Sequence, residues 1–180
     1  MAKKLIILDR DGVINQDSDD FIKSPSEWIP IDGSLEAIAR LNHAGYRVVI
    51  ATNQSGIARE LFTLDTLMRI HEKMHCALAG LGGKIEAIFF CPHGPKDHCD
   101  CRKPKPGLLH NIANRLHVDL HQTPVIGDSL RDLQAAEAAD AQAILVRTGK
   151  GKRTLNKLEN PDHYPVFDDL ASYTNFLINQ

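Results

Sequence analysis

Two aspartates near the start of the chain have the type and spacing of a phosphoryl-transfer site. Asp9 and Asp11 are separated by one residue and follow the apolar run from Leu5 to Leu8. Two carboxylates this close repel each other, so both stay ionised only if a cation lies between them. Mg²⁺ suits such a site because it prefers oxygen ligands and keeps waters that a phosphate can replace. One aspartate can be a nucleophile that forms an aspartyl-phosphate, and the other can serve as general acid and base.

Polar residues further along the chain could complete this chemistry. Thr52 and Lys103 could stabilise the charge that develops on the transferred phosphoryl oxygens. Asp128 could complete the ligands of the magnesium, and Asp132, about one helical turn later, could orient it. The sequence therefore predicts Asp9 and Asp11 as catalytic residues and Asp9, Asp11 and Asp128 as magnesium ligands.

A second set of residues is typical of a zinc site. Cysteine and histidine lie close together at Cys91, His93, Cys99 and Cys101, within a loop predicted over 91–107. A closed tetrahedral site with three cysteines and one histidine is structural, because zinc without an open position does no chemistry. There are three alternatives to this site: isolated reduced cysteines, a redox pair formed by Cys99 and Cys101, and His98 as a competing ligand. The loop is too polar to fold around a core of its own, which favours metal as its organiser.

The segment His71-Glu72-Lys73-Met74-His75 fits the metalloprotease pattern H-E-x-x-H on a predicted helix. The spacing places both imidazoles on one face of the helix, but no third ligand follows in the sequence. The same helix needs its apolar stripe to pack on a sheet. We therefore interpret the pattern as a chance match and expect both histidines to face solvent or the rim of the fold.

Alternating strands and helices must position these residues. The apolar runs predict strands at 5–8, 47–51, 85–90, 124–126, 143–146 and 166–167, and helices beginning near Leu35, Leu64, Leu108, Leu130 and Leu170. This alternation predicts an α/β fold with a doubly wound, mostly parallel sheet. The polar motifs stand where strands end, and in such sheets ligands bind at the carboxyl ends of the strands.

Composition restricts the class of protein. The length of 180 residues predicts a single domain over 1–180, and 43% hydrophobic residues exclude wholesale disorder. The formal net charge of -2 and 6% aromatic residues argue against nucleic acid as a partner. The sequence has no apolar run long enough for a membrane span and no signal peptide. We expect a cytoplasmic monomer that has neither a membrane nor a nucleic-acid partner.

Taken in order, the motifs resemble those of the haloacid-dehalogenase-like phosphohydrolases. The matching segments are Asp9-Arg10-Asp11-Gly12, Thr52-Asn53-Gln54, Lys103 and Gly127-Asp128-Ser129-Leu130-Arg131-Asp132, and the likeness covers about residues 5–148. The resemblance implies a Rossmann-like fold and Mg²⁺-dependent phosphate ester hydrolysis through an aspartyl-phosphate. The short intervals between motifs imply a member without a cap domain.

The predicted zinc loop resembles that of two groups within this family. These are the D-glycero-D-manno-heptose 1,7-bisphosphate 7-phosphatases and the histidinol phosphatases. The run Asn53-Gln54-Ser55-Gly56-Ile57-Ala58-Arg59 is closer to the heptose group. This resemblance implies hydrolysis of the 7-phosphate of a heptose bisphosphate, in the synthesis of nucleotide-activated heptose for lipopolysaccharide. The alternatives are a histidinol-phosphate phosphatase, a DNA 3′-phosphatase and a non-enzymatic zinc module.

The resemblance also implies a set of substrate-binding residues. They are Asp9, Arg10, Asp11, Asp17, Ser18, Asp19, Asp20, Thr52, Asn53, Gln54, Ser55, Arg102, Lys103 and Ser129. A bisphosphate needs a second anion site, for which Arg102 is the first candidate because its guanidinium binds phosphate in a bidentate manner. Arg59 and the stretch 149–152 are further candidates, although we expect Lys150 and Lys152 to lie in a solvated loop.

Overall fold

The fold is built on one parallel sheet of six strands. A computed structural model describes residues 4–179, so residues 1–3 and 180, the ends of the predicted domain, lie outside it. The strands are β1 (Leu5–Leu8), β2 (Arg47–Asn53), β3 (Ala87–Cys91), β4 (Pro124–Gly127), β5 (Gln142–Val146) and β6 (Val166–Phe167). They lie in the order β3-β2-β1-β4-β5-β6, and every neighbouring pair is parallel. This confirms the predicted doubly wound sheet.

Helices cover both faces of the sheet. They are α1 (Ser34–His43), α2 (Leu64–Ala79), α3 (Gly107–Leu116), α4 (Leu130–Ala138), α5 (Gly151–Leu155) and α6 (Leu170–Ile178). Successive residues of β1 point to opposite faces, so Ile6 packs with α1, α2 and α6 while Ile7 packs with α3 and α4. Burial on both faces explains why β1 is an unbroken apolar run.

The order in which the chain adds strands to the sheet reverses beside β1. The strands β2 and β3 extend the sheet on one side of β1, and β4, β5 and β6 extend it on the other. In a sheet of this kind, the crevice at the carboxyl ends of the two strands flanking the reversal is where ligands bind. This topology brings the residues after β1 and after β4 together.

Most predicted elements are present with small shifts at their ends. The prediction missed α5, because Gly151–Leu155 lies in a stretch that was expected to be a solvated loop. The third strand begins at Ala87 rather than at 85. The apolar stripe predicted for α2 also included Leu64, which is exposed because it lies in the first turn of the helix. None of the helices within residues 4–179 is long and apolar enough to cross a membrane.

Candidate active site and metal centres

Carboxylates that follow the ends of two neighbouring strands lie close together at the point where the strand order reverses. Asp9 follows β1, and its backbone N–H donates to the carbonyl of Ile126 in β4 at 2.9 Å. Asp128 follows β4, and Asp132 lies in the first turn of α4. Carboxylate oxygens of Asp9, Asp128 and Asp132 all lie within 4.8 Å of one another. Such a cluster of oxygen ligands fits a hard cation such as Mg²⁺.

Two glycines allow the backbone to approach this cluster. Gly12 has a φ of 84°, and a Cβ there would lie 1.9 Å from Oδ2 of Asp128. At Gly149 a Cβ would lie 2.2 Å from the same oxygen and 2.5 Å from the Cα of Gly12. Any other residue at either position would therefore collide with the carboxylate of Asp128. The turn after β1 and the segment after β5 are both packed directly against it.

A buried lysine neutralises part of this negative charge. Lys103 Nζ donates to Asp132 Oδ1 at 2.6 Å and to the carbonyl of Ala51 at 2.7 Å, and it lies 3.2 Å from Asp9 Oδ1. Burial lowers the pKa of Lys103, but the carboxylates of Asp132 and Asp9 outweigh burial and raise that pKa overall. The ammonium group is therefore charged where a transferred phosphoryl group would need a cation.

The position of Lys103 is fixed from β2. Asn53 Nδ2 donates to the carbonyl of Lys103 at 3.0 Å, and the N–H of Lys103 donates to Asn53 Oδ1 at 3.1 Å. This reciprocal pair joins the end of β2 to the segment that follows the cysteine-rich loop. Lys103 therefore reaches the cleft from a loop that β2 holds in place.

The pKa values of two carboxyl groups show how strongly the site favours a cation. Burial raises the pKa of Asp9 to about 7; Lys103 opposes this shift, while Asp132 and Asp11 add to it. Burial raises the pKa of Asp128 to about 8, and the charges of Asp132 and Asp9 raise it further. A divalent cation would remove this cost because it stabilises the ionised form of each ligand.

Asp11 has different partners. Its Oδ1 accepts from Arg10 Nε at 3.0 Å and Nη2 at 2.8 Å and from Asn15 Nδ2 at 2.9 Å, and its Oδ2 accepts from Gln54 Nε2 at 3.0 Å. Burial raises the pKa of Asp11, but Arg10 and the other donors lower it overall. The cluster of carboxylates therefore consists of Asp9, Asp128 and Asp132. The magnesium ligands predicted from the sequence are Asp9, Asp11 and Asp128.

The cleft above these groups is lined by most of the predicted substrate-binding residues. They are Asp9, Asp11, Asp17, Ser18, Asp19, Thr52, Asn53, Gln54, Ser55, Arg102, Lys103 and Ser129. Arg10 lies fully buried beneath the cleft, and Asp20 lies outside it on an exposed turn. The lining also includes Phe21, Ile22, Arg59, Arg131, Asp132 and Lys150.

The expectation that Lys150 lies in a solvated loop is wrong. Its N–H donates to Asp128 Oδ2 at 2.7 Å, and its ammonium lies 2.8 Å from Asp17 Oδ2. Arg153 pairs in the same way with Asp19 at 3.1 Å, whereas Lys152 is exposed as expected. The sequence did contain a clue to the contacts of Lys150. The segment follows the end of β5, and residues that follow the strands lie at the ligand-binding edge of the sheet.

The predicted zinc ligands also converge. Sγ of Cys91 lies 3.7 Å from Sγ of Cys99 and 3.5 Å from Nδ1 of His93, which lies 3.3 Å from Sγ of Cys101. Tetrahedral bonds to one zinc would separate two thiolates by about 3.8 Å, and a thiolate and an imidazole nitrogen by about 3.5 Å. The four side chains therefore fit zinc, and His98 is not part of the cluster.

The position of His71 contradicts the expectation that both histidines of the H-E-x-x-H pattern face solvent or the rim of the fold. It is buried, with its Nε2 3.1 Å from Nη1 of Arg10, whereas His75 is exposed as expected. The two imidazoles do not form a metal site with a third ligand in the part of the chain that is described. Leu67, His71, Met74 and Leu78 are all buried on the inner face of α2, so the helical spacing could have revealed the burial of His71.

Comparisons with known proteins agree with this geometry. A family model described as "HAD-hyrolase-like" matches residues 100–173. The chain is 58% identical over 98% of its length to the D-glycero-beta-D-manno-heptose-1,7-bisphosphate 7-phosphatase of Bordetella bronchiseptica, covering 99% of that protein. It is 53% identical to the enzyme of the same name from Pseudomonas aeruginosa, over 99% of both chains.

Solved structures give the same result. The crystal structure of D,D-heptose 1,7-bisphosphate phosphatase from B. bronchiseptica, complexed with magnesium and phosphate, is similar with a TM-score of 0.95 over 98% of each chain, at 58% identity. The corresponding enzyme from Burkholderia thailandensis has a TM-score of 0.79 at 49% identity, covering 99% of this chain and 100% of that one. This chain belongs to the D-glycero-beta-D-manno-heptose-1,7-bisphosphate 7-phosphatase family of HAD-like hydrolases.

Proposed function

We propose that this protein is a Mg²⁺-dependent phosphomonoesterase that hydrolyses the 7-phosphate of D-glycero-β-D-manno-heptose 1,7-bisphosphate. The observation that carries the proposal is the carboxylate of Asp9, which lies beside both the charged Lys103 and the carboxylate of Asp128. The activity and the β anomer follow from the names of relatives that match almost the whole chain.

Asp9 is the nucleophile in this proposal. Its Oδ1 already accepts from the N–H of Arg10 at 2.8 Å and lies 3.2 Å from Lys103 Nζ, which leaves Oδ2 to attack phosphorus. The bond from Asp9 to phosphorus forms as the bond from phosphorus to the sugar oxygen breaks. Lys103 and Thr52 then stabilise the charge on the phosphoryl oxygens.

Asp11 is the general acid and base. It donates a proton to the departing sugar oxygen in the first step, and it removes a proton from the attacking water in the second. Water then releases inorganic phosphate and restores the carboxylate of Asp9. Because Arg10 and Asn15 favour the ionised form of Asp11, Asp11 must take up a proton from solvent as the substrate phosphate binds beside it, before it can act as the acid in the first step; the carboxylate left by that step is the base of the second.

The magnesium ligands follow from what each carboxylate already contacts. Both oxygens of Asp132 are engaged, Oδ1 with Lys103 and Oδ2 with the N–H and hydroxyl of Ser129, so Asp132 orients the site. Asp9 and Asp128 would hold the metal. Asp11 is the third ligand predicted from the sequence, but Arg10, Asn15 and Gln54 already donate to its carboxylate. The ion would neutralise charge on the phosphoryl oxygens.

Three arginines provide for the second phosphate. Arg59, Arg102 and Arg131 all line the cleft, and no ion pair to a carboxylate is found for any of them within residues 4–179. Burial lowers the pKa of Arg102, and the nearby positive charge of Arg131 and, to a lesser extent, of Arg59 lowers it further. A phosphate dianion would relieve this repulsion, which favours a bisphosphate over a substrate with one phosphate.

Several finer assignments belong to the same proposal. We assign Zn²⁺ to Cys91, His93, Cys99 and Cys101 as a structural ion that shapes the 91–107 loop. We further propose one phosphatase domain over 1–180, a cytoplasmic monomer, and a role in supplying heptose for lipopolysaccharide. The net charge of -2 supports the expectation that neither nucleic acid nor a membrane is a partner.

Release of inorganic phosphate in the presence of Mg²⁺ tests the function. The substrates are the α and β anomers of the heptose bisphosphate, histidinol phosphate and an oligonucleotide with a 3′-phosphate. We expect the highest kcat/KM for the β anomer. The variant Arg102→Leu should lower kcat/KM for the bisphosphate by about tenfold or more, the effect of losing one charged contact, but leave p-nitrophenyl phosphate little changed. Preference for histidinol phosphate or the oligonucleotide would overturn the proposal.

A further inference from the structure

A buried histidine lies directly beneath the catalytic aspartates and has no part in the mechanism described above. His71 is in the middle of α2 and is 4% exposed. Its Nε2 lies 3.1 Å from Nη1 of Arg10, which is itself 0% exposed. The side chain therefore reaches from the helix layer to the loop that follows β1.

Arg10 connects this histidine to Asp11. The guanidinium group donates from Nε and Nη2 to one carboxylate oxygen of Asp11 at 3.0 and 2.8 Å. The third nitrogen of the group, Nη1, contacts Nε2 of His71. With all three nitrogens engaged, on Asp11, Gln54 and His71, the plane of the guanidinium is fixed, and with it the direction from which it binds Asp11.

The chemistry of the contact fixes the protonation state of His71. A guanidinium has donors and no acceptor, so Nε2 of His71 must accept, and the ring proton must lie on Nδ1. Burial lowers the pKa of His71 to about 3, and the positive charge of Arg10 contributes to the same shift. The imidazole is thus a neutral acceptor at neutral pH.

We propose that His71 is a positioning residue for the general acid and base, acting through Arg10. By accepting from Nη1 it holds the guanidinium in the orientation that keeps the carboxylate of Asp11 at the leaving oxygen. This inference rests on the proposed function, and specifically on the role of Asp11.

The loss of the acceptor has a definite consequence. Nη1 of Arg10 would be buried without a partner, which is costly, and the guanidinium would turn to find one. Asn15 and Gln54 would still donate to Asp11, so the carboxylate would move rather than lose all of its contacts. A displacement of about 1 Å is enough to cost a large factor in rate.

The test compares three variants on α2. His71→Gln keeps an acceptor at a similar reach, His71→Leu replaces the imidazole by an apolar group, and His75→Leu is the matched control at the exposed histidine. Each is assayed with the heptose bisphosphate, whose leaving oxygen needs a proton, and with p-nitrophenyl phosphate, whose leaving group does not.

We expect His71→Leu to lower kcat on the sugar substrate by about 10–100-fold, part of the range for general acid–base catalysis, and to change KM little. The loss on p-nitrophenyl phosphate should be at most a few-fold, and His71→Gln should recover most of the sugar activity. Equal losses on both substrates, or equal losses in the Gln and Leu variants, would show that His71 only fills the core.

A folding defect need not obscure the result. If His71→Leu does not fold, His71→Asn provides the same contrast with His71→Gln, because the shorter amide does not reach Arg10. The proposed function fails on its own if the wild type releases no phosphate from the heptose bisphosphate. In that case another phosphate ester with a poor leaving group, compared with p-nitrophenyl phosphate, still decides the role of His71.

Discussion

The two clusters that fit metal ions are built in opposite ways. In the acidic cleft, Asp9 and Asp128 directly follow the central strands β1 and β4, and Asp132 is in the first turn of α4. In the cysteine cluster, only Cys91 belongs to a strand, and the other three ligands lie in a loop without helix or strand. The sheet positions the first set, whereas we expect the proposed zinc ion to organise the second.

Ions bound at the two clusters would therefore have separate tasks. Contacts between side chains of the protein, such as that between Lys103 and Asp132, hold the geometry of the cleft. The loop carries Arg102 and Lys103 directly after its last ligand, Cys101. We therefore expect the ion in the cleft to control chemistry and the ion in the loop to control the placement of two substrate-binding side chains.

Loss of the nucleophile is the largest expected effect and separates chemistry from structure. Asp9→Asn should lower kcat by more than about 10³-fold, because an amide cannot form the acyl-phosphate. Zinc content should stay at that of the wild type, and Tm should change little because the strand end is unaltered. Phosphate release and thermal unfolding measure both results. Substantial activity in the purified variant would show that another group attacks phosphorus.

Loss of one cysteine should have the complementary effect. Cys99→Ser should reduce zinc content and lower the stability of the domain by about 2–3 kcal/mol, which for a protein of this size lowers Tm by about 4–12 °C. KM for the bisphosphate should rise more than kcat falls, because Arg102 loses its fixed position. Elemental analysis and calorimetry provide the measurements.

Cys76→Ser is the control for this variant. Cys76 is an exposed cysteine outside the cluster, so its replacement should leave zinc content and Tm unchanged. If Cys99→Ser retained full zinc and an unchanged Tm, the loop would be held by its chain contacts rather than by the ion.

The sequence was sufficient for the parts of the site that follow strand ends. Asp9, Thr52 and Asp128 each stand where a buried apolar run stops, and parallel strands bring such positions together. The convergence of Cys91, His93, Cys99 and Cys101 was predictable because their chemistry is encoded in short spacing within one loop. Neither inference requires knowledge of how a helix is rotated on the sheet.

The residues that were misassigned depend on long-range packing. His71 was expected to face solvent, but α2 turns it toward Arg10, which is 61 positions earlier in the chain. Lys150 was assigned to a solvated loop, but the segment after β5 folds back over Gly12 and Asp128. Local patterns describe a segment and its spacing, whereas these contacts depend on the orientation of a helix and the path of a loop.

The binding of magnesium should depend on pH near neutrality. Burial raises the pKa of Asp9 to about 7 and that of Asp128 to about 8, so protons compete with the metal below these values. As pH falls from 8 to 6, the Kd for Mg²⁺ should rise with each proton that the metal must displace, and the rise approaches about tenfold per pH unit for each group only below the pKa of that group. Calorimetry in two buffers of different ionisation enthalpy measures the protons released, and identical heats in both would contradict this linkage.

Lys150 allows a finer test, because it joins the cleft to the segment that contains Asp17. Lys150→Met removes the ammonium 2.8 Å from Asp17 but keeps the backbone N–H that donates to Asp128 Oδ2. The cleft would then hold one more unbalanced negative charge near a substrate that carries two phosphates. Since the ammonium is partly exposed, solvent screens it, and we expect KM to rise by only about 3–10-fold with kcat nearly unchanged.

The control for this smallest effect is the neighbouring lysine. Lys152→Met removes the same charge from α5, but its side chain is exposed and outside the cleft lining. If general attraction of the anionic substrate were responsible, both variants would raise KM equally, and added salt would remove the difference from the wild type. If the contact with Asp17 matters, only Lys150→Met raises KM, and Asp17→Asn combined with it recovers part of the loss because the unpaired carboxylate is gone.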